Sequence, residues 1–181
     1  DSIKEFAELG LKAVLVGYES FDDREMKDYK KKSVTKDNSK AAKILKSFKV
    51  DVWASFIANP DWNKKDFKSI REYIKLLEPE ISSINPLTPF PNLTMYEKYK
   101  DRLLYEKEDY EKWSFGQVTI LPSKMSLRRY YFELLKTNLY VNLFINKKTE
   151  MIKHYGIKNI FRIFFGSIKA MKKYIILMIK S

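Results

Sequence analysis

Three short apolar runs rich in β-forming residues, Ala13-Val14-Leu15-Val16, Val50 to Ala58 and Ile81 to Leu87, recur along the chain, each followed by a loop and then by a helical pattern. Their spacing of roughly 30 to 40 residues is the size of one strand-helix unit, and consecutive units of that kind pair their strands in parallel through right-handed crossovers. Three strands do not close a barrel. The pattern therefore predicts an α/β fold, either half of a parallel (β/α) barrel or a small open sheet, with a different region after about residue 105.

The helical segments have readable ends. Residues 2 to 9 form a helix closed by Gly10, a residue tolerant of positive φ. The stretch from Lys12 to Tyr18 is nearly continuous in apolar residues, the pattern of a strand covered on both faces. Asp22-Asp23 precede a short helix and cap it rather than hold a cation; a second helix runs from Asp37 to Phe48. Asn63 followed by Asp66 resembles a capping box and opens a helix over 64 to 77, with Phe67, Ile70, Tyr73, Ile74 and Leu77 on one side. Glu78-Pro79 ends that helix, because proline disfavours helical geometry in the residue before it. Beyond a short helix around 93 to 99, residues 100 to 125 are irregular and charged; Ser126 caps a helix to about Ile145, and a last one runs from about Ile157 to Ile179.

Composition narrows the chemistry. The 181 residues include no cysteine, which excludes disulfides, thiolate metal sites, cysteine nucleophiles and a self-ligated iron-sulfur cluster, and points to a reducing, intracellular setting. His154 is the only histidine, so a catalytic triad has no other His to serve as its base and no multi-His metal site can be built, and it reads as a surface residue. No Gly-x-x-x-x-Gly-Lys or Gly-x-Gly-x-x-Gly motif is present. Residues 1 to 120 carry 22 Lys and Arg against 21 Asp and Glu, whereas 121 to 181 carry 13 against 2, so +11 of the net +12 sits in the last third. Lys30-Lys31-Lys32 reads as a solvated face. The last helix combines a broad apolar stripe with lysines, which suits an interfacial helix on anionic lipid better than nucleic acid and is too charged to span a bilayer.

The strand-to-loop junctions carry the functional signal: Gly17-Tyr18-Glu19-Ser20, Ser55-Phe56-Ile57-Ala58-Asn59-Pro60-Asp61 and Asn85-Pro86-Leu87-Thr88-Pro89-Phe90-Pro91. In a parallel sheet all three open on one edge, where such folds do chemistry. Together with Lys30 to Lys32, the continuation Asn92-Leu93-Thr94-Met95-Tyr96 and the later Tyr130-Tyr131-Phe132-Glu133-Leu134, they resemble the second half of the radical S-adenosylmethionine barrel, in the branch that usually carries an N-terminal cobalamin-binding domain. The resemblance covers roughly residues 1 to 145.

The resemblance implies a half TIM-type barrel over 1–105 and a basic, aromatic-rich helical extension over 106–181. It implies that Glu19 contacts the ribose or methionyl amine of S-adenosylmethionine, that Ser20 supports it, that Ser55 and Asn59 approach the cofactor, and that Leu87 and Thr88 belong to the floor beside the adenine. The alternative for Glu19 is a carboxylate stabilised by the dipole of the helix that follows. Asn59 and Asn92 stand where the family usually has glycine, and Asn tolerates positive φ better than other residues. The 4Fe-4S ligands would lie upstream of Asp1, leaving no catalytic residue and no metal ligand here, with cobalamin a further cofactor of the parent enzyme. This chain is then an inactive piece of a longer enzyme, a methyltransferase or cyclase acting on an apolar substrate. Its partner is the missing N-terminal half, and it lies in the cytoplasm with a possible contact between 157–179 and the inner face of the membrane. The alternative is a non-catalytic remnant or a peripheral membrane-binding module.

Overall fold

The computed structural model describes residues 2–146 and 149–181. Helix α1 (Ser2–Glu8) leads into strand β1 (Ala13–Glu19), followed by α2 (Asp23–Asp28), α3 (Thr35–Ser47), β2 (Asp51–Ala58), α4 (Lys64–Leu77) and β3 (Ile81–Pro86). A short α5 (Thr94–Lys98) and irregular chain precede α6 (Leu127–Tyr140), a π-helical turn (Val141–Ile145) and α7 (Thr149–Lys180). The strands form one parallel sheet in the order β1-β2-β3. The expected α/β unit is present; its extension to a closed barrel is taken up below.

The helix ends follow from local chemistry. Gly10 has φ 107° at the close of α1. The Asp22 side chain accepts from the Arg24 N–H at 2.8 Å and caps α2. At α4 the Asn63 side chain accepts from the Lys65 N–H at 2.7 Å, while the Asn63 N–H donates to Asp66 at 2.7 Å, the reciprocal pair that the sequence predicts. Glu78 ends α4 in a left-handed conformation before Pro79. Ser126 accepts from the Arg129 N–H at 3.3 Å and caps α6.

The core lies on one face of the sheet. Val52, Ala54, Phe56 and Ala58 of β2 are buried there against Phe67, Ile70 and Ile74 of α4 and Leu134 of α6. Each fully buried large apolar side chain contributes about 1.5–3 kcal/mol. Tyr130 is buried with them, and its hydroxyl donates to the carbonyls of Ala58 (2.8 Å) and Asn59 (3.1 Å), tying α6 to the end of β2.

The opposite face is open, which corrects the expectation that β1 is covered on both sides. Leu15 is 74% exposed, and the alternate residues Trp53, Ser55 and Ile57 of β2 are only half-buried, Trp53 edge-on against the Tyr155 ring of α7 and Ile57 against Leu87, Tyr99 and Ile120. The free edge of β3, by contrast, is closed by side chains of α6 and the turn after it. Asn142 accepts from the Ser82 N–H (3.2 Å) and donates to its carbonyl (2.7 Å); Asn138 does the same for Ile84 (3.0 and 2.8 Å). Four helical residues advance about 6 Å and two strand residues about 6.6 Å, so amides at i and i+4 meet successive outward-facing peptides of a strand. Asn146 extends the ladder, accepting from the Ser82 hydroxyl at 3.1 Å and donating to Asn142 at 2.8 Å.

Helix α7 begins before Ile157, where the sequence places it, and bends at Gly156 (φ 72°, ψ 157°), a backbone conformation essentially reserved for glycine. Its first part is fixed to the sheet by His154, whose Nδ1 lies 2.9 Å from the buried carboxylate of Asp51. His154 is therefore not the surface residue expected: its side chain is 18% exposed and anchors α7 to β2. Beyond Gly156, α7 packs along α6 and leaves Phe161, Phe165, Ile176 and Ile179 exposed. Among the described residues, no helix is long and apolar enough to cross a membrane.

Candidate functional site

All three predicted junctions lie at the C-terminal edge of the sheet. At the first, the pairing passes from Gly17↔Ser55 to Glu19↔Phe56, so Tyr18 is an extra residue and the strand bulges. The bulge places Glu19 at φ 62°, a conformation that is uncommon for a residue other than glycine. Its neighbours hold it there: the Ser20 N–H donates to the Tyr18 carbonyl at 2.8 Å, and the Asn38 side chain of α3 donates to the same oxygen at 3.1 Å. Non-glycine residues kept in this region concentrate at ligand sites, which makes Glu19 a functional candidate on its own geometry.

The Glu19 carboxylate does not sit on the helix that follows, which Asp22 caps; the helix-dipole alternative is not what the structure shows. Instead Glu19 Oε1 pairs with Lys31 Nζ at 2.8 Å, and Lys31 also reaches the Gly17 carbonyl at 3.5 Å. The side chains remain 17% and 38% exposed, so the pair forms a partly sheltered acid-base couple at the sheet edge. Gly17 makes room for it: a Cβ at position 17 would stand 2.5 Å from Glu19 Oε1. Lys31 belongs to the run that reads as a solvated face. The signal that could have singled it out is the lysine-bearing loop of the family pattern.

Gly17, Ser55 and Ser83 are in register across the three strands. Side chains alternate along a strand, so this row lies on the open face, leaving a floor of small groups beside Glu19. Asn85 continues that side of β3, its amide 3.5 Å from the Ser83 hydroxyl. The other predicted residues support the loops. Ser20 is fully buried; its hydroxyl donates to Glu25 and accepts from the Asp22 N–H at 3.1 Å. Asn59 is not among the residues with positive φ; its side chain accepts from the Asp61 N–H at 2.9 Å, so a side-chain turn replaces the glycine geometry. Asn92, at φ 70°, does take the left-handed conformation. The buried Leu87 donates its N–H to Ala58 at 3.0 Å, and the Thr88 hydroxyl is directed to the carbonyls of Pro86 (3.3 Å) and Ser114 (3.4 Å).

Behind Ser20 lies a carboxyl that sequence reading passed over. Glu25 accepts from the Ser20 hydroxyl through one oxygen and from the Trp62 indole N–H through the other, at 2.7 Å. Burial pushes its pKa up from the ordinary carboxylate value, and these two hydrogen bonds offset only part of that. A raised folded-state pKa means that the folded protein holds the proton more tightly than the unfolded one, so this group's contribution to stability falls as pH rises from the normal Glu range through the elevated value. Glu25→Gln keeps both polar partners and removes the titration. Its melting temperature relative to wild type is therefore expected to rise between pH 5 and pH 8, as read from paired thermal melts. A constant difference would contradict the assignment.

S-adenosylmethionine fits these residues by chemistry. A carboxylate accepts hydrogen bonds from ribose hydroxyls or an ammonium, and the Gly17-Ser55-Ser83 row leaves space next to it. A 4Fe-4S cluster does not fit, since the chain has no cysteine to ligate it and no group of three or more His, Asp or Glu is gathered among the described residues.

Fold and site together define an α/β chain with a parallel sheet whose C-terminal edge presents a strained acid paired with lysine. No family model matches the chain. It is 28% identical over 134 residues to a hopanoid C-3 methylase of Methylococcus capsulatus, covering 74% of this chain and 25% of that protein. It is also 23% identical over 151 residues to a bacteriochlorophyllide d C-8(2)-methyltransferase of Chlorobaculum tepidum, covering 81% of this chain and 33% of the relative. The chain thus spans between a quarter and a third of the length of these two methyltransferases.

Proposed function

We propose that this chain is the S-adenosylmethionine-supporting part of a longer radical S-adenosylmethionine methyltransferase with an apolar acceptor. The observation that carries the proposal is the Glu19–Lys31 pair on a bulged strand end, at the position where the family pattern places its Gly-x-Glu-Ser acid. The two methyltransferase relatives support the reaction class, and their names, a hopanoid and a bacteriochlorophyllide, support a large apolar acceptor. On this reading residues 1–105 are the later units of a (β/α) barrel, and 106–181 an extension that closes its last strand. The open edge of β1 is where the preceding strand of the longer protein pairs, and the exposed Leu15 is covered there.

When bound, S-adenosylmethionine supplies the transferable methyl group and, with a reduced cluster held elsewhere in the longer protein, a radical initiator. Within this chain Glu19 accepts hydrogen bonds from the ligand, and Lys31, 2.8 Å away, holds the carboxylate aimed over Gly17. Ser20 and Glu25 fix the backbone from behind, and Ser55 lines the floor. Glu19→Gln removes the charge while keeping the shape, and is expected to weaken S-adenosylmethionine binding about tenfold or more in an equilibrium titration. Unchanged affinity would contradict the reading.

A further inference from the structure

A cavity of about 530 Å³ lies between β3, α6 and the outer part of α7, outside the Glu19 site. Its walls are Leu139 and Leu143 from the α6 side and Ile163, Phe164 and Met171 from α7. Ser83 and Asn85 bring it to the same open side of β3 that carries the small-residue row. Its volume is in the range of sites that enclose drug-sized or larger molecules, and apolar walls with a few polar groups are the pattern of such sites.

One basic group stands at the cavity. Lys173 Nζ lies 3.4 Å from the Ser114 hydroxyl, near Gly116, and makes no ion pair among the described residues. The rest of the cavity offers neutral polar groups, Ser83, Asn85 and Ser167. No carboxylate other than Glu80, whose side chain is engaged with the Val52 N–H at 2.6 Å, lines it. A ligand with an apolar body and one anionic end matches that distribution, the body against α6 and α7 and the anionic end at Lys173.

We infer that this cavity is a binding site for an apolar carboxylic acid, built by the extension rather than by the sheet edge. That such a ligand is the methyl acceptor rests on the reading above; its binding does not.

The test uses the whole chain and cis-parinaric acid, a fluorescent polyene carboxylic acid, beside its neutral methyl ester. Saturable binding with preference for the acid is expected. Ser167→Trp and Leu143→Trp each place an indole in the cavity from a partly exposed position. Each is expected to weaken binding about tenfold or more while the protein still melts cooperatively. Lys173→Gln is expected to abolish the preference for the acid over the ester. Phe165→Ser, on the outward side of α7, leaves binding unchanged, as does Glu19→Gln, so failure here is separable from failure of the S-adenosylmethionine reading. Wild-type affinity in both indole variants, or loss of binding in Phe165→Ser instead, would overturn the proposal and place the probe on the outer stripe of α7.

Discussion

Replacing Asn138 and Asn142 together by leucine is expected to lower the stability of this protein by about 2–5 kcal/mol, although neither residue belongs to the sheet or to an apolar core. Their amides satisfy the N–H and carbonyl groups of Ser82 and Ile84 along the outer edge of β3. Leucine fits a helix as well as asparagine does, so the cost arises from peptide groups left without partners in a partly buried place. For a domain of this size the loss corresponds to a melting-temperature drop of roughly 5 to 15 °C. Asn159→Leu, an exposed asparagine on α7 that donates to the Tyr155 carbonyl of its own helix, serves as the control and is expected to shift it little. If the double variant melts like wild type, water satisfies the edge and the ladder is incidental.

The second large effect concerns binding. Gly17→Ala places a methyl 2.5 Å from Glu19 Oε1, nearer than nonbonded atoms come, so the carboxylate must move away from Lys31. The displaced atom is the end of a flexible side chain and the backbone at Gly17 is not left-handed, so the fold should lose less than about 1 kcal/mol. Affinity for S-adenosylmethionine should nevertheless fall by about tenfold or more, because a charge-assisted contact depends on the position of the acid. The pairing of near-normal melting with weakened binding separates this effect from general damage. Equal affinity in the variant would show that Glu19 is not the contact.

Much of the framework was legible because it depends on local rules. The three strands, the capping box at Asn63 and Asp66, the termination at Glu78 and the cap at Ser126 each follow from a few adjacent residues. The features that were missed depend on residues distant in sequence. The Glu19–Lys31 pair requires the bulge at Tyr18, and that bulge is held by Asn38 from the next helix. His154 reads as exposed because nothing in its neighbourhood announces Asp51, 103 residues away. The Asn138, Asn142 and Asn146 spacing is visible in the sequence, yet its meaning depends on β3 lying alongside. The spacing of the last helix was legible as amphipathic, but its inner stripe is spent on the cavity and on the packing against α6, leaving Phe161, Phe165 and Ile176 outside.

The site was legible to the extent that a resemblance supplied it. Six residues were named from the family pattern, and the structure sorts them by position. Glu19 and Ser55 lie on the open side, while Ser20, Asn59, Leu87 and Thr88 are held in the loops that support it. Glu25 had no signal of its own, and Lys31 only that of the family's lysine-bearing loop, because a buried acid among surface acids and one lysine among three look alike until the chain is folded.

The central claim is that the bulged end of β1 is where S-adenosylmethionine is held, and residue-resolved NMR tests it directly. On titration of the isotopically labelled chain with S-adenosylmethionine, the amides of Gly17, Glu19, Ser20, Lys31 and Ser55 are expected to shift together in a saturable way. Those along the outer part of α7 should stay fixed. Shifts confined to other parts of the chain, or none at concentrations that saturate a weak site, would contradict the account.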